Sequence, residues 1–128
     1  MKQLLIFITL VALFCGCEDI FEVDLTTDKP TLIAPHDNAI ISSGEVNFAW
    51  EALDGATYYH LSVVSPSFES AKYIRVDTLI MADSLAGSFY KSKHKLEAGD
   101  YQWNVRAFNS AYKSDINIYT FKVEGDEI

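Results

Sequence analysis

Three histidines are the side chains in this sequence best suited to acid–base or metal chemistry, but no neighbouring residues complete a site around them. His36, His60 and His94 fall in three different predicted elements, and none has the His-x-x-x-His spacing that directs two imidazoles to one metal. A hydrolase also needs a nucleophile beside a base, and the sequence has no Gly-x-Ser-x-Gly turn to present one. The sequence therefore predicts no enzyme, no metal site and no cofactor.

Aromatic side chains are the stronger lead, because exposed rings stack on sugars or anchor protein partners. The candidate binding aromatics, expected outside the core from strand parity or a position in a loop, are Tyr58, Tyr90, Phe108 and Tyr112. Phe68 and Tyr73 are expected outside as well. Scattered exposed rings are also ordinary, and some rings cap a core, so both interpretations stay open. A row of tyrosines would favour glycan binding, whereas a flat edge strand or an apolar patch would favour protein assembly.

The first seventeen residues differ in composition from the rest of the chain. Lys2 gives a positive start, the run from Leu4 to Phe14 is apolar apart from Thr9, and Cys15-Gly16-Cys17 ends it. A charged start, about 7–15 apolar residues and small residues at the end are typical of a secretory signal. A membrane-spanning helix needs roughly 20 apolar residues, which is more than this run offers. We therefore predict an export signal over residues 1–17.

Cys17 directly follows a glycine and the apolar run, which resembles the lipobox of bacterial lipoproteins. The resemblance implies that the sulfur of Cys17 takes a diacylglyceryl group and that cleavage leaves this cysteine as the new N-terminus. The leucine that the family places three residues upstream is Phe14 here. Acyl chains, at about 0.8 kcal/mol per buried CH₂, would hold such a protein on a lipid membrane. An ordinary cleaved signal with an incidental cysteine is the alternative.

Residues 18–29 carry five acidic residues before the first base, Lys29, which favours a flexible, solvated linker. Glu18 and Asp19, directly after the cysteine, also resemble the surface-export signal of lipoproteins from the Bacteroides group. That resemblance implies display on the outer membrane facing outward, with attachment facing the periplasm as the alternative. The formal charge of −8, or −9 once Lys2 is removed, argues against nucleic acid as a partner.

Apolar residues in the body, residues 30–124, recur at every second position between turn-forming clusters, which indicates β-strands. The pattern predicts one all-β domain, an antiparallel sandwich of about seven strands, with an acidic tail at 125–128. Lys91, Lys93 and Lys95 would share an outer face and discourage edge-to-edge aggregation. The expected structural core consists of Trp50, Tyr59, Leu61, Leu96, Tyr101, Trp103, Val105 and Phe121.

The stretch from Trp50 to Val63 resembles the second and third strands of fibronectin type III domains, and Leu96–Ala107 resembles their sixth strand with the turn before it. Thr31–Pro35 and Tyr119–Val123 match the first and last strands. The resemblance implies an immunoglobulin-like sandwich in which Tyr101 forms a tyrosine corner. A fold of this kind gives almost no information about the ligand.

These features together predict a non-enzymatic, membrane-anchored lipoprotein whose sandwich serves as a binding or spacing module at the cell envelope. The alternative is a carbohydrate-binding accessory lipoprotein of a glycan-uptake system, because similar lipoproteins carry such sandwiches beside transport components. The first hypothesis implies another envelope protein as partner, and the second implies a glycan.

Overall fold

Eight β-strands in two sheets make up the part of the chain that this computed structural model describes, residues 22–82 and 89–125. The strands are β1 (Leu32–Ala34), β2 (Ala39–Ser42), β3 (Gly44–Glu51), β4 (Tyr58–Ser65), β5 (Tyr73–Met81), β6 (Phe89–Leu96), β7 (Gly99–Phe108) and β8 (Tyr119–Glu124). The smaller sheet has the order β1-β3-β6 and the larger sheet β2-β8-β7-β4-β5. The predicted all-β sandwich is confirmed, with eight strands where about seven were expected.

The additional strand is β2, which is too short for its alternation to be recognised in the sequence. Asn38 adopts a φ of 65°, a left-handed conformation that asparagine tolerates better than most residues. Its N–H donates to Thr120 O at 2.6 Å, and the N–H of Thr120 donates to Asp37 Oδ1 at 2.8 Å. These bonds place β2 beside β8, and the two strands run parallel.

Two tryptophans fill the space between the sheets. Trp50 on β3 and Trp103 on β7 are both 0% exposed, and the ring of Phe48 meets that of Trp103 edge-on, with centroids 5.0 Å apart. The indole N–H of Trp103 donates to Pro35 O at 3.0 Å, so its polar atom is satisfied in the interior. The residues expected in the core are all at most 5% exposed: Trp50, Tyr59, Leu61, Leu96, Tyr101, Trp103, Val105 and Phe121.

Tyr101 ties the start of β7 to the turn that precedes it. Its hydroxyl donates to Glu97 O at 2.6 Å, and its ring stacks on that of Phe121 with centroids 5.3 Å apart. Burial raises the pKa of the Tyr101 phenol, so the hydroxyl keeps its proton and remains a donor. This is the bond from a tyrosine hydroxyl to upstream backbone that defines a tyrosine corner.

Two substitutions separate the hydrogen bond from the packing at this corner. Tyr101→Phe keeps the ring and removes one bond, so we expect the free energy of unfolding to fall by about 0.5–1.5 kcal/mol. Tyr101→Ala also removes a buried ring, which should cost about 3–5 kcal/mol. Urea unfolding followed by the fluorescence of Trp50 and Trp103 measures both losses. Equal losses for the two variants would contradict this division.

Residues 22–29, expected to be a flexible linker, pack against the sandwich instead. Leu25 is 0% exposed and belongs to the hydrophobic core, and the N–H of Asp115 donates to Asp28 O at 2.9 Å. A local turn brings Leu25 inward, because the Asp24 carboxylate accepts bonds from the hydroxyl (2.6 Å) and the N–H (2.9 Å) of Thr26. The same two bonds lower the pKa of Asp24.

The packed domain therefore begins no later than Glu22 rather than at Pro30. The structure differs from the expectation because one buried leucine outweighs a local excess of acidic residues. The predicted signal at 1–17 with Cys17, linker residues 18–21 and tail residues 126–128 lie outside the described residues.

Candidate interaction surface

The histidine on the outer face of the larger sheet does not form a catalytic relay. Nε2 of His60 contacts the Asp77 carboxylate and also lies 3.5 Å from Ser62 Oγ. A relay needs the carboxylate on one ring nitrogen and the hydroxyl on the other. Both partners of His60 meet the same nitrogen, so the ring cannot take a proton from the serine while the aspartate orients it.

The other two histidines are also engaged locally. His94 Nε2 lies 2.6 Å from Ser92 Oγ and its ring centroid 6.0 Å from that of Phe48, so this side chain faces the gap between the sheets. Burial lowers the pKa of His94 and favours its neutral form. His36 is exposed in the turn before β2. Across residues 22–82 and 89–125, no three His, Cys, Asp or Glu side chains converge on a point that could hold a metal ion.

The four candidate binding aromatics do not form one patch. Tyr58 and Phe108 make a cross-strand pair on the outer face of the larger sheet, with ring centroids 4.9 Å apart and planes 2° from parallel. Tyr112 lies in the turn after β7 and is 37% exposed. Each ring of the stacked pair covers one face of the other. The pair therefore leaves at most one face of each ring for a ligand.

Tyr90 is partly buried and packs against the core. Its ring centroid lies 4.9 Å from that of Tyr59 and 6.1 Å from that of Trp50. On β6 it shares the inward parity of Leu96, whereas the three lysines of the strand point outward. The expectation that Tyr90 lies on the outward parity is therefore wrong.

The two sheets end in four edge strands, and one of these exposes an extended apolar surface. β1 and β2 are three and four residues long. β6 is longer but presents Lys91, Lys93 and Lys95. Short length and lysines are common protections against pairing with another chain. β5 spans nine residues and lacks both protections.

The apolar edge, as we define it, consists of the β5 side chains Tyr73, Ile74, Leu79 and Met81, which are 58%, 68%, 62% and 69% exposed. A bulge at Arg75 shifts the register near the start of β5, and the guanidinium of Arg75 lies 4.6 Å from the centre of the Tyr73 ring. A bulge of this kind bends an edge away from new partners. The regular stretch from Val76 to Met81 therefore remains the part best suited to pairing.

The backbone of this regular stretch has unpaired hydrogen-bonding groups on its outer side. The N–H of Ala82 donates to Thr57 O at 2.9 Å, and Met81 lies opposite Tyr58. In an antiparallel ladder, successive residues turn their N–H and C=O groups to opposite sides. Residues 78 and 80 therefore bond to β4, and residues 77, 79 and 81 turn their groups toward the open edge of the described sheet.

Proline substitutions at neighbouring positions test this orientation. Ile80→Pro removes an N–H that bonds to β4 and leaves the partner carbonyl unpaired, so we expect the free energy of unfolding to fall by about 1–3 kcal/mol. Leu79→Pro removes an N–H that faces outward, a position where edge strands accept proline, and should cost several times less. Thermal melts of the two variants measure the difference. A larger loss for Leu79→Pro would show that the assigned orientation is wrong.

The sequence pattern predicted that Tyr73 is exposed, but it did not predict the exposure of the other members of the apolar edge. The stretch after Thr78 is apolar at both parities, so its sequence pattern does not distinguish a strand from a helical turn. A usable signal was present in Asp77, because a charged residue marks the outer parity of a strand. That parity assigns Leu79 and Met81 to the exposed face.

Asn109 holds the N-terminal segment to one end of the sandwich. Its side chain, in a residue only 6% exposed, donates through Nδ2 to Val23 O at 2.8 Å and to Gly55 O at 3.2 Å. Its Oδ1 accepts from the N–H groups of Ala111 at 3.0 Å and Tyr112 at 2.8 Å. All four hydrogen-bonding positions of the amide are used, so a single side chain joins three segments of the chain.

Gly55 allows the segment to approach this end closely. Its φ is +88°, and a Cβ built there would lie 2.4 Å from the Cβ of Val23. Other residues would meet both backbone strain and a steric clash at this position. The anchored end, as we use the term below, consists of residues 22–25, the loop 52–57, the turn 109–113, Met81 and Phe89.

Replacing the amide with a carboxylate tests this anchoring. Asn109→Asp would place an acceptor against the carbonyl oxygens of Val23 and Gly55, so we expect a loss of about 1–3 kcal/mol or more. The amide hydrogen of Asp28, bonded to Leu25 O at 3.0 Å, should exchange faster because residues 22–29 detach. Asn117→Asp, which alters a single 3.5 Å contact to Pro30 O, is the matched control. Equal protection of Asp28 in both variants would contradict the role of Asn109.

No protein-family model matches the sequence, and no curated protein matches it at a significant level. Solved structures do match. The fn3 domain of the human collagen alpha-1(XX) chain superposes with a TM-score of 0.54 at 14% identity, covering 87% of this chain and 96% of that one. The fold is that of a fibronectin type III domain. A human fibronectin type III domain derived from KIAA0970 gives a TM-score of 0.53 at 15% identity, covering 84% of this chain and 80% of that one.

A third solved structure superposes on this chain to a similar extent. CopC from Methylosinus trichosporium OB3b superposes with a TM-score of 0.54 at 16% identity, covering 77% of this chain and 97% of that one. Identities of this size establish the fold alone, and one fold serves many ligands. Among the described residues, no helix is both long and apolar enough to cross a bilayer.

Proposed function

We propose that this protein is a non-catalytic, lipid-anchored module that binds an extended strand of a protein partner along β5. One observation carries the proposal: of the four sheet edges in the described chain, β5 alone is long and apolar, and its outer backbone groups are unpaired. A partner strand would satisfy the N–H and C=O groups of residues 77, 79 and 81. Leu79 and Ile74 would contribute apolar contacts on the outer face beside it.

The anchor in this proposal rests on the sequence. Cys17 follows an apolar run and a glycine, as the acylated cysteine of bacterial lipoproteins does, and acidic residues follow it. We place the protein on the outer membrane, facing outward, with the periplasmic side as the alternative. Mass spectrometry of the protein from the cells that produce it should find an N-terminal peptide that begins at an acylated Cys17. An unmodified thiol there would contradict the anchor.

The non-catalytic part of the proposal is supported by the His60 cluster. Its hydroxyl and carboxylate meet the same ring nitrogen, which is unsuitable for nucleophile activation. Carbohydrate binding is less well supported than protein binding. Among the described residues, the stacked outer-face pair of Tyr58 and Phe108 leaves at most one face of each ring for a sugar, and Tyr90 packs inward against the core.

Photocrosslinking in the producing cells tests the β5 edge. A photoreactive phenylalanine analogue at Ile74 (68% exposed) reports on β5, and the same analogue at Ile40 (64% exposed) on the opposite edge strand is the matched control. We expect one discrete protein adduct from position 74 only, and its loss when Leu79→Pro is added. The proline removes an outward N–H and blocks an incoming strand.

Three results would overturn this function. Equal amounts of adduct from positions 74 and 40 would show nonspecific binding rather than a specific site. An adduct that survives Leu79→Pro in a folded protein would exclude strand addition. Binding to a glycan array that is lost in Tyr58→Ala would favour the carbohydrate-binding alternative.

A further inference from the structure

We infer that the anchored end of the sandwich rests directly on the lipid surface, with Val23, Met81, Phe89 and Tyr112 in the headgroup layer. This inference rests on the proposed acylation of Cys17. It adds how the domain stands on the membrane, which acylation by itself leaves open. The occupant of this surface is therefore a lipid bilayer, and the contact is mainly apolar.

The tether between the lipid and the domain, from Cys17 to Glu22, is short. Only four residues, Glu18–Phe21, separate Cys17 from Glu22, where the described chain begins. A chain reaches at most about 3.6 Å per residue, so the five steps from Cys17 to Glu22 span about 18 Å at most. β7 has ten residues and extends about 33 Å. Because this tether is shorter than the sandwich, the end that holds Glu22 cannot lie more than about 18 Å from the lipid, whereas the opposite end can lie farther away.

The tether is short because Glu22, the residue where it ends, is held at the anchored end. The N–H of Ser110 donates to Glu22 Oε1 at 3.4 Å, and the hydroxyl of Ser110 contacts the same oxygen. Val23 is held by the Asn109 amide and packs over Gly55. If residues 22–29 were a flexible linker, the tether would be twelve residues long, Glu18–Lys29, and would permit any orientation of the domain.

Exposed apolar side chains from four separate segments surround this end. Val23, Met81, Phe89 and Tyr112 are 47%, 69%, 42% and 37% exposed. The ammonium of Lys91 lies 5.3 Å from the centre of the Phe89 ring, an arrangement in which the amine can stay in water above a ring inserted among headgroups. Bilayers accommodate such rings and apolar tips in a layer about 5–10 Å deep.

The charges at this end favour a zwitterionic surface over an anionic one. The acidic residues around it are Glu22, Asp24, Glu51 and Asp54, and the basic ones are Lys91 and Lys113. Anionic lipid would repel this excess of carboxylates. Phosphatidylcholine vesicles are therefore the appropriate probe.

Tryptophan quenching by brominated lipid tests the orientation. Cys17 is the only thiol in residues 17–128, so protein produced without residues 1–16, and therefore without acylation, can be coupled through it to a maleimide phospholipid in phosphatidylcholine vesicles. Met81→Trp reports on the anchored end, and Ile40→Trp, at a similarly exposed position near the opposite end, is the matched control. The unsubstituted chain, whose two tryptophans are buried, gives the background.

We expect brominated phosphatidylcholine to quench the added tryptophan at position 81 at least about twofold more than the one at position 40, because an interfacial ring lies within reach of the bromines. A twelve-residue Gly-Ser insertion between Phe21 and Glu22 should shrink this difference. Equal quenching at both positions, or stronger quenching at position 40, would overturn the inference. If the full difference in quenching persists after the insertion, the short tether is not its cause. Because the lipid is coupled chemically, a missing acyl group in cells would contradict the proposed anchor without altering this result.

Discussion

The packing of aromatic rings between the two sheets is the interaction on which the rest of the structure depends. Phe48 projects from the smaller sheet and meets Trp103 and Phe121 of the larger one, with centroids 5.0 Å and 5.8 Å away. Trp50 meets Tyr59 across the same gap at 5.8 Å. A hundred-residue domain without a disulfide in its described part must obtain its stability from such burial. The outer faces and edges are thereby left available for interaction.

The sandwich could be predicted because strands buried on one face alternate apolar and polar residues, and most of β3 and β7 does so, with Ala49 and Asn104 as buried exceptions. The corner at Tyr101 was implied by the resemblance to fibronectin type III domains and is present in the structure. Leu25 could not be predicted, since a single apolar residue among acids carries no period, and its burial depends on Asn109, which is distant in sequence. Tyr90 was predictable in principle, because it shares the parity of Leu96.

The candidate site was predicted less well than the fold, for a physical reason. Whether a strand lies at an edge depends on the order of strands in the sheet, and that order is not encoded locally. The last residues of β5, Leu79–Met81, are apolar at both parities, which is equally typical of a buried strand. Its exposure follows from its position beside β4 only, at the end of the larger sheet. The stacking of Tyr58 on Phe108 likewise depends on the register between β4 and β7.

The two proposed surfaces are compatible in one orientation. Met81 lies at the anchored end, and Tyr73 at the other end of β5. With the anchored end on the membrane, β5 rises away from the lipid, and a partner strand can approach it from the side. The regular stretch from Val76 to Met81 would then be the part of the edge nearer the bilayer.

The attachment of residues 22–29 has a mechanical consequence. With the proposed lipid anchor, a force that pulls the domain away from the membrane would enter the fold at Glu22 and act first on the bonds of Asn109 and on the buried side chain of Leu25. Detaching this segment would release eight residues, Glu22–Lys29, and about 29 Å of slack at most, before any of the eight strands bears load. The segment is therefore placed to yield under tension while the aromatic core stays intact.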